Sequence, residues 1–296
     1  MRNRKKVLSR LEVLELRQVL HIATLEALVA SHNWEPGELV FQGGSSLRLA
    51  QKSPRSSEDL DFLVLNSLDL TKIHESVRAR LEMLTEGIPG DMRVVVSKPK
   101  NNPFGQYRFH VTLTGDNVIG SVKVKVELFP AERKTLENIQ VFVAPIEFPD
   151  AEPSGDRQER PGILAATLPE IYADKIFAVG ARKVIKHRDF FDLHWLRTYH
   201  GLRDCSPDYL RVRLATYTDE TPGTWLEKAI MRHTELCEID RQIVADELRK
   251  WLPLDWSLTD EEVGKIMQSS IEALEHGIDL MRDIEAEMTN EDGPTL

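Results

Sequence analysis

The stretch from Phe41 to Leu65, FQGGSSLRLAQKSPRSSEDLDFLVL, constrains this chain more than any other part of it. A short apolar run, Leu39–Gln42, reads as a strand and is broken by Gly43-Gly44. Ser45–Gln51 then reads as a helix opening on a serine cap. Asp59-Leu60-Asp61 begins a second apolar run that lasts to Leu65. Side chains two apart on a strand share a face, so Asp59 and Asp61 project together while Leu60 and Phe62 turn to a core. Two such carboxylates repel each other unless a cation sits between them. Oxygen ligands of this kind suit Mg²⁺, which binds few protein carboxylates and takes substrate phosphates besides. The glycines permit a close backbone approach, and the helix start offers N–H groups to a phosphate. Together the parts describe a nucleoside-triphosphate site working by metal-assisted phosphoryl transfer. An isolated DxD or GGS is common surface chemistry. The ordered series of strand, GGS, helix and Arg55-x-Ser57-x-Asp59-x-Asp61 is what makes the pattern specific.

The surrounding chain reads as α+β followed by all-α. Apolar positions at helical spacing predict a helix over 7–31, and Leu70–Leu84 repeats the pattern. Val94–Val96 is a short strand. Gln106–Thr114 alternates, with Tyr107, Phe109, Val111 and Leu113 on one face. Val118–Leu128 alternates after Gly115-Asp116-Asn117, which predicts a hairpin. Ile139–Val143 closes the sheet. Residues 149–162 are rich in proline, glycine and charge and read as a linker. Helices follow at 169–182, 188–199, 207–216, 224–236, 240–250 and 259–288. The expected plan is an α+β domain over 1–150 and a helical domain over 163–296 that ends in an acidic helix.

Charge first argues against a nucleic-acid partner. The 296 residues carry 38 Lys and Arg against 48 Asp and Glu, a net of −10. The distribution reverses that inference. From Thr259 onward there are eleven acids and two bases, a net of −9, which leaves the first 258 residues at −1. Basic clusters punctuate that body: Arg2, Arg4, Lys5, Lys6 and Arg10; Lys98, Lys100 and Arg108; Arg182, Lys183, Lys186 and Arg188. Each reads most simply as a solvated surface. The acidic helix reads as an appendage that packs near, or competes for, a basic surface that could take a nucleic acid. Cys205 and Cys237 form no metal-spaced or CxxC pair, which excludes a disulfide scaffold and a zinc ribbon and fits a reducing cytoplasm. No apolar run approaches the ~20 residues of a membrane span. The basic N-terminus lacks the apolar run of a signal peptide.

The motif series resembles the nucleotidyltransferase β fold, and within it the AbiEii/AbiGii-type toxin nucleotidyltransferases of bacteria, over roughly residues 38–200. Gly43, Gly44, Ser45, Arg55, Ser57, Asp59, Leu60 and Asp61 stand at that family's GG[S/T] and R-x-S-x-D-[I/L]-D positions. The resemblance implies a third acid on a later strand, and Lys123-Val124-Lys125-Val126-Glu127 supplies Glu127. By alternation Glu127 shares a face with Lys123 and Lys125, so it either completes a metal-binding trio or pairs with Lys125. The resemblance also implies a helical lysine and an R-D-x-x-D-L segment, met by Lys175 and by Arg188-Asp189-Phe190-Phe191-Asp192-Leu193.

These positions carry expectations residue by residue. Asp59, Asp61 and Glu127 hold Mg²⁺ or Mn²⁺. Gly43, Gly44, Ser45, Arg55, Ser57 and Lys175 hold the NTP, although Arg55 could equally pair with Glu58 and Ser45 could be a plain cap. Lys175 lies four residues from Ile171 and from Val179, among apolar neighbours where an unpaired ammonium is costly. Asp189 and Asp192, three apart on one helix face, orient Lys175 or the base, or else pair with Arg188 and Lys186. His110 and His187 read as structural or exposed, and Trp225, Trp251 and Trp256 as core or interface.

The resemblance implies NMP transfer from an NTP to an acceptor. RNA is the expected acceptor, with the tRNA 3′ end foremost, and the setting is a toxin–antitoxin or phage-defence pair with a cognate antitoxin. Transfer to an aminoglycoside-like small molecule or to a protein side chain is the rival enzyme reading. A non-catalytic interaction module is the rival outside enzymology.

Overall fold

The computed structural model describes residues 5–84, 87–101, 105–148 and 161–291. The 149–162 linker expectation therefore lies almost wholly outside the described residues, as do Arg2 and Arg4. In chain order the elements are β1 (Lys6–Val7), α1 (Arg10–Val29), β2 (Leu39–Gln42), α2 (Gly43–Leu49), β3 (Asp59–Leu65), α3 (Leu70–Glu82), β4 (Met92–Val96), β5 (Lys100–Asn101), β6 (Tyr107–Gly115), β7 (Val118–Ile119), β8 (Val122–Ala131), α4 (Arg133–Glu137), β9 (Val141–Pro145), β10 (Gly162–Ala166), α5 (Leu168–Ala181), α6 (His187–His200), α7 (Pro207–Thr216), α8 (Pro222–Glu238), α9 (Arg241–Leu248) and α10 (Asp260–Glu291). They form two units. One comprises residues 1–137 and 141–166; the other comprises 138–140 and 167–296.

The first unit is built on a mixed sheet in the order β4-β6-β8-β3-β2-β10-β9, with β5 added on β6. β3 runs parallel to β8, and β10 runs parallel to β2; the other pairings are antiparallel. Alternation explains the strands. Val94, Phe109, Val111, Val124, Val126, Leu60, Phe62 and Phe41 lie on one face and are buried with α1 and α3 residues such as Leu25, Leu28, Val77 and Leu81. The opposite face of β4, β6 and β8 stays open: Arg93, Val95 and Lys123 are exposed there.

Three local expectations are revised. Helix α2 opens at Gly43, not Ser45, because Gly43 at φ +77° turns the chain straight out of β2 with Gln42 as the capping residue. The run after Asn117 is two strands, not one. β7 pairs with β1, Gly120 at φ +95° breaks the run, and β8 alone pairs with β6, Leu113 opposite Val122. Residues 162–166 are a strand, inserted between β2 and β9.

The second unit is helical throughout. Trp225 is its bulkiest fully buried side chain, and its indole N–H donates to the Phe177 carbonyl at 2.9 Å. Helix α10 is not an appendage. Val263, Ile266, Ser270, Ala273, Leu274, Met281 and Ile284 recur at helical spacing and are all buried. Gly277 abuts Ile176 and Trp225, leaving no room for a side chain. Acids on the outer faces pair with bases of neighbouring helices, Glu272 with Arg197 of α6 at 2.5 Å and Glu275 with His233 of α8 at 2.8 Å. Removing α10 would therefore strip the core of this unit rather than unmask a surface. Among the described residues, no helix is long and apolar enough to cross a membrane.

Candidate active site

In the first unit the site forms where β2, α2, β3 and β8 meet. Parallel pairing sets the register: Asp61 lies opposite Glu127, and Asp59 opposite Lys125. Residues opposite one another share a face, so all three carboxylates stand together with Lys125. Arg108 is opposite Glu127 on the other side, and His110 is opposite Lys125. β2 contributes Gln42, opposite Asp61. Past Asp61, β3 is buried on both faces, Leu63 and Val64 being fully covered. The acids thus sit where the strand leaves the core.

The turn before α2 is shaped around these acids. A Cβ on Gly43 would lie 2.7 Å from Asp61 Oδ2, and its φ of +77° is one that residues other than glycine rarely adopt. A Cβ on Gly44 would collide with the Arg55 guanidinium. Arg55 is fully buried, and its Nη1 donates to the Ser56 carbonyl at 2.9 Å. The Ser45 hydroxyl donates to the Asp59 main-chain carbonyl, tying α2 to the start of β3. Ser57 is buried beside them, and Glu58 pairs with Arg17 at 3.3 Å. Beneath β3, His21 faces the Glu58 carbonyl at 3.4 Å, and burial pushes its imidazole down to about 4. It is neutral at neutral pH and donates from Nε2.

Lys125 bridges the acids. Its Nζ lies 3.1 Å from Asp59 Oδ2 and 2.8 Å from Glu127 Oε2, while Arg108 Nη1 is 3.9 Å from Glu127. Burial works to lower the Lys125 ammonium, but its hydrogen bond to Glu127 and the Asp59 charge outweigh this and hold it above its ordinary value. His110 is depressed by burial and then by the cations Lys123, Arg108 and Lys125. With Lys125 in this position, no three Asp, Glu, His or Cys side chains among the described residues converge closely enough to hold an ion. The donor set nonetheless fits a hard divalent cation: it is all carboxylate oxygen, it is partly solvated, and two of its members already hold a cation in common.

In the second unit, Lys175 on α5 is enclosed. Its Nζ lies 2.6 Å from Asp189 Oδ1 and 2.8 Å from Asp192 Oδ2, and all three side chains are at most 5% exposed. Asp189 also receives Arg182, while Arg188 lies over the Trp251 ring at 4.9 Å. A neighbouring buried network was not legible beforehand. Arg213 pairs with Glu170 at 2.5 Å, and the Tyr217 hydroxyl donates to Asp174 at 2.8 Å. Burial raises the Glu170 carboxyl even against Arg213.

Two residues of the first site were not read as site residues from the sequence, Gln42 standing there only as a strand end and Arg108 only in a basic cluster. Gln42 and Arg108 both follow from alternation, since Phe41 on one side and Tyr107 and Phe109 on the other belong to the core. The Gln42 Oε1 atom is buried without a hydrogen-bond partner among the described residues.

A mixed sheet carrying a GGS turn, a DxD strand and an acid on the adjoining parallel strand, followed by a helical unit, defines a nucleotidyltransferase. The family model for the Nucleotidyl transferase AbiEii toxin, Type IV TA system, matches residues 26–265, and the chain belongs to that family of toxin–antitoxin nucleotidyltransferases. Among solved structures, MenT4, a nucleotidyltransferase toxin from Mycobacterium tuberculosis H37Rv, shares the fold at TM-score 0.54 and 15% identity, over 92% of this chain and 87% of that one. JHP933 from Helicobacter pylori aligns at TM-score 0.45 and 16% identity, over 94% and 98%. No curated protein matches the chain.

Proposed function

We propose that this protein transfers a nucleoside monophosphate from an NTP to RNA, with the tRNA 3′ end as the foremost acceptor, and that it acts as the toxin of a toxin–antitoxin or phage-defence pair with a cognate antitoxin. The observation that carries the reading is the β3–β8 register, which gathers Asp59, Asp61 and Glu127 on one face beside the Gly43-Gly44 turn. Asp59 and Asp61 would hold Mg²⁺ or Mn²⁺ together with Glu127. When bound there, a divalent ion would supply neutralisation of the phosphate charge and polarisation of the acceptor hydroxyl. The acceptor oxygen bonds to the α-phosphorus, the bond to the bridging oxygen breaks, and pyrophosphate leaves. The hydroxyl proton passes to a carboxylate of the trio. The turn offers its backbone to the triphosphate. Ser45 and Arg55 keep that turn in place, one through the Asp59 carbonyl and the other against Gly44. Ser57 is assigned to the triphosphate as well, and in the second unit Asp189 and Asp192 orient Lys175.

The test is incubation with Mg²⁺, labelled NTPs and total tRNA. Labelled RNA is expected from the parent and none from Asp59→Ala, which should also lose toxicity. Label on a protein or small molecule instead would move the acceptor. No label on RNA, with toxicity undiminished in Asp59→Ala, would reject the reading.

A further inference from the structure

The open face of the sheet beside the three acids is basic. Moving away from the acids across the strands, Glu127 is followed by Arg108 and then Lys100. One step down β8, Lys125 is followed by His110. A further step gives Lys123 beside Thr112, and then Thr114 beside Arg93. Lys100, Lys123 and Arg93 are exposed. Lys100 and Lys123 have no carboxylate at ion-pair distance among the described residues. Arg93 has only Asp116, at 4.0 Å, on the turn beyond the strands. The core residues of the same strands face the other way, so alternation alone keeps these cations on one surface. Among the described residues, Val95, at 40% exposed, is the most open large apolar side chain there, with Phe129 partly exposed beyond Glu127. The acids at one end would repel phosphate, whereas the cations leading to them would hold it.

We infer that this face of β4, β6 and β8 is the track on which the acceptor's phosphodiester strand lies, delivering its terminal hydroxyl to Asp59, Asp61 and Glu127. The inference rests on the RNA-acceptor reading above and adds where the strand runs. A chain with a net charge of −10 binds a polyanion only through a segregated patch, and this patch abuts the acids. Sparse apolar surface and unpaired lysines suit a sugar-phosphate backbone better than a protein partner.

The test uses the full chain carrying Lys100→Glu with Lys123→Glu, and a control of equal charge change, Arg78→Glu with Arg80→Glu, on α3 across the sheet. Fluorescence anisotropy reads binding of a labelled single-stranded RNA and of tRNA over a salt series. NTP affinity and melting temperature are measured alongside. The face variant should bind RNA roughly tenfold or more weakly at low salt, and its slope of log K on log salt should fall by about 0.7 per lost phosphate contact. NTP affinity and melting temperature should stay at the parent's values, and the α3 control should bind RNA as the parent does. Equal weakening in both variants would show net charge at work and overturn the track. So would unchanged RNA binding in the face variant. A parent that binds NTP and no RNA would overturn the acceptor reading, and the track with it.

Discussion

Replacing Lys125 by Met removes the cation that Asp59 and Glu127 share at 3.1 and 2.8 Å. At an effective dielectric of about 20, each contact represents roughly 5–6 kcal/mol of gross attraction. Most of that only returns what the charges lost on leaving water. Hydrogen bonds to charged groups contribute about 1.5–3 kcal/mol net. Lys125 keeps a quarter of its side chain in solvent, so the lower figure applies to each contact, about 3 kcal/mol together. For a unit of about 160 residues that is a fall of roughly 6–12 °C in melting temperature. A divalent cation at a hundred times its Kd returns about 2.7 kcal/mol. The variant should therefore melt far below the parent in EDTA and close to it in saturating Mg²⁺. Calorimetric scans in both conditions check this. An equal deficit with and without Mg²⁺ would refute the idea that ammonium and metal compete for the same oxygens. No deficit in EDTA would refute the stabilising bridge itself.

Other consequences follow from the same geometry. Gly44→Ala drives a methyl into the buried Arg55 guanidinium and should cost about 1–3 kcal/mol in urea unfolding, while Gly90→Ala, which meets nothing within 4 Å, should be near neutral. Lys175→Met leaves Asp189 and Asp192 buried with less compensation and should cost about 3–5 kcal/mol. Adding Asp192→Asn should recover part of that loss, and strict additivity in the double-variant cycle would count against the network. His21 has its pKa depressed to about 4 in the folded state, so the unfolded chain binds the extra proton first as pH falls. Stability should drop between about pH 6.5 and 4 by about 3 kcal/mol on this account. His21→Gln should flatten that part of the pH–stability curve and leave values above pH 7 unshifted by titration.

The longer helices were legible because apolar spacing is a local property, whereas the five-residue α4 was not read from the sequence. All six helices of the second unit fall within a few residues of the pattern in Leu168–Glu291. Strands β2, β3 and β6 were legible for the same reason. Register was not. Whether Glu127 stands beside Asp61 or one residue away depends on pairing between segments some sixty residues apart. A one-residue slip would have turned Glu127 to the core and Val126 to the site. β10 was hidden because Gly162–Ala166 has too few residues to show alternation and borrows its order from β2 and β9. The acidic helix misled because its charge count is conspicuous, while its apolar stripe of Val263, Ile266, Ala273 and Ile284 is diluted by intervening polar residues.

What the sequence alone determined, then, is the chemistry: two glycines, a serine and a DxD pair at spacings that a strand–turn–helix–strand path converts into one site. Such short-range geometry follows from backbone periodicity and needs no partner. What only the tertiary structure decided is the surroundings. Lys125 lies between Asp59 and Glu127, Arg55 sits under Gly44, Lys175 is enclosed by Asp189 and Asp192, and the cations of β6 and β8 form a row. Each of these joins residues distant in the chain, and their proximity is set by strand pairing and helix packing, which no local pattern encodes.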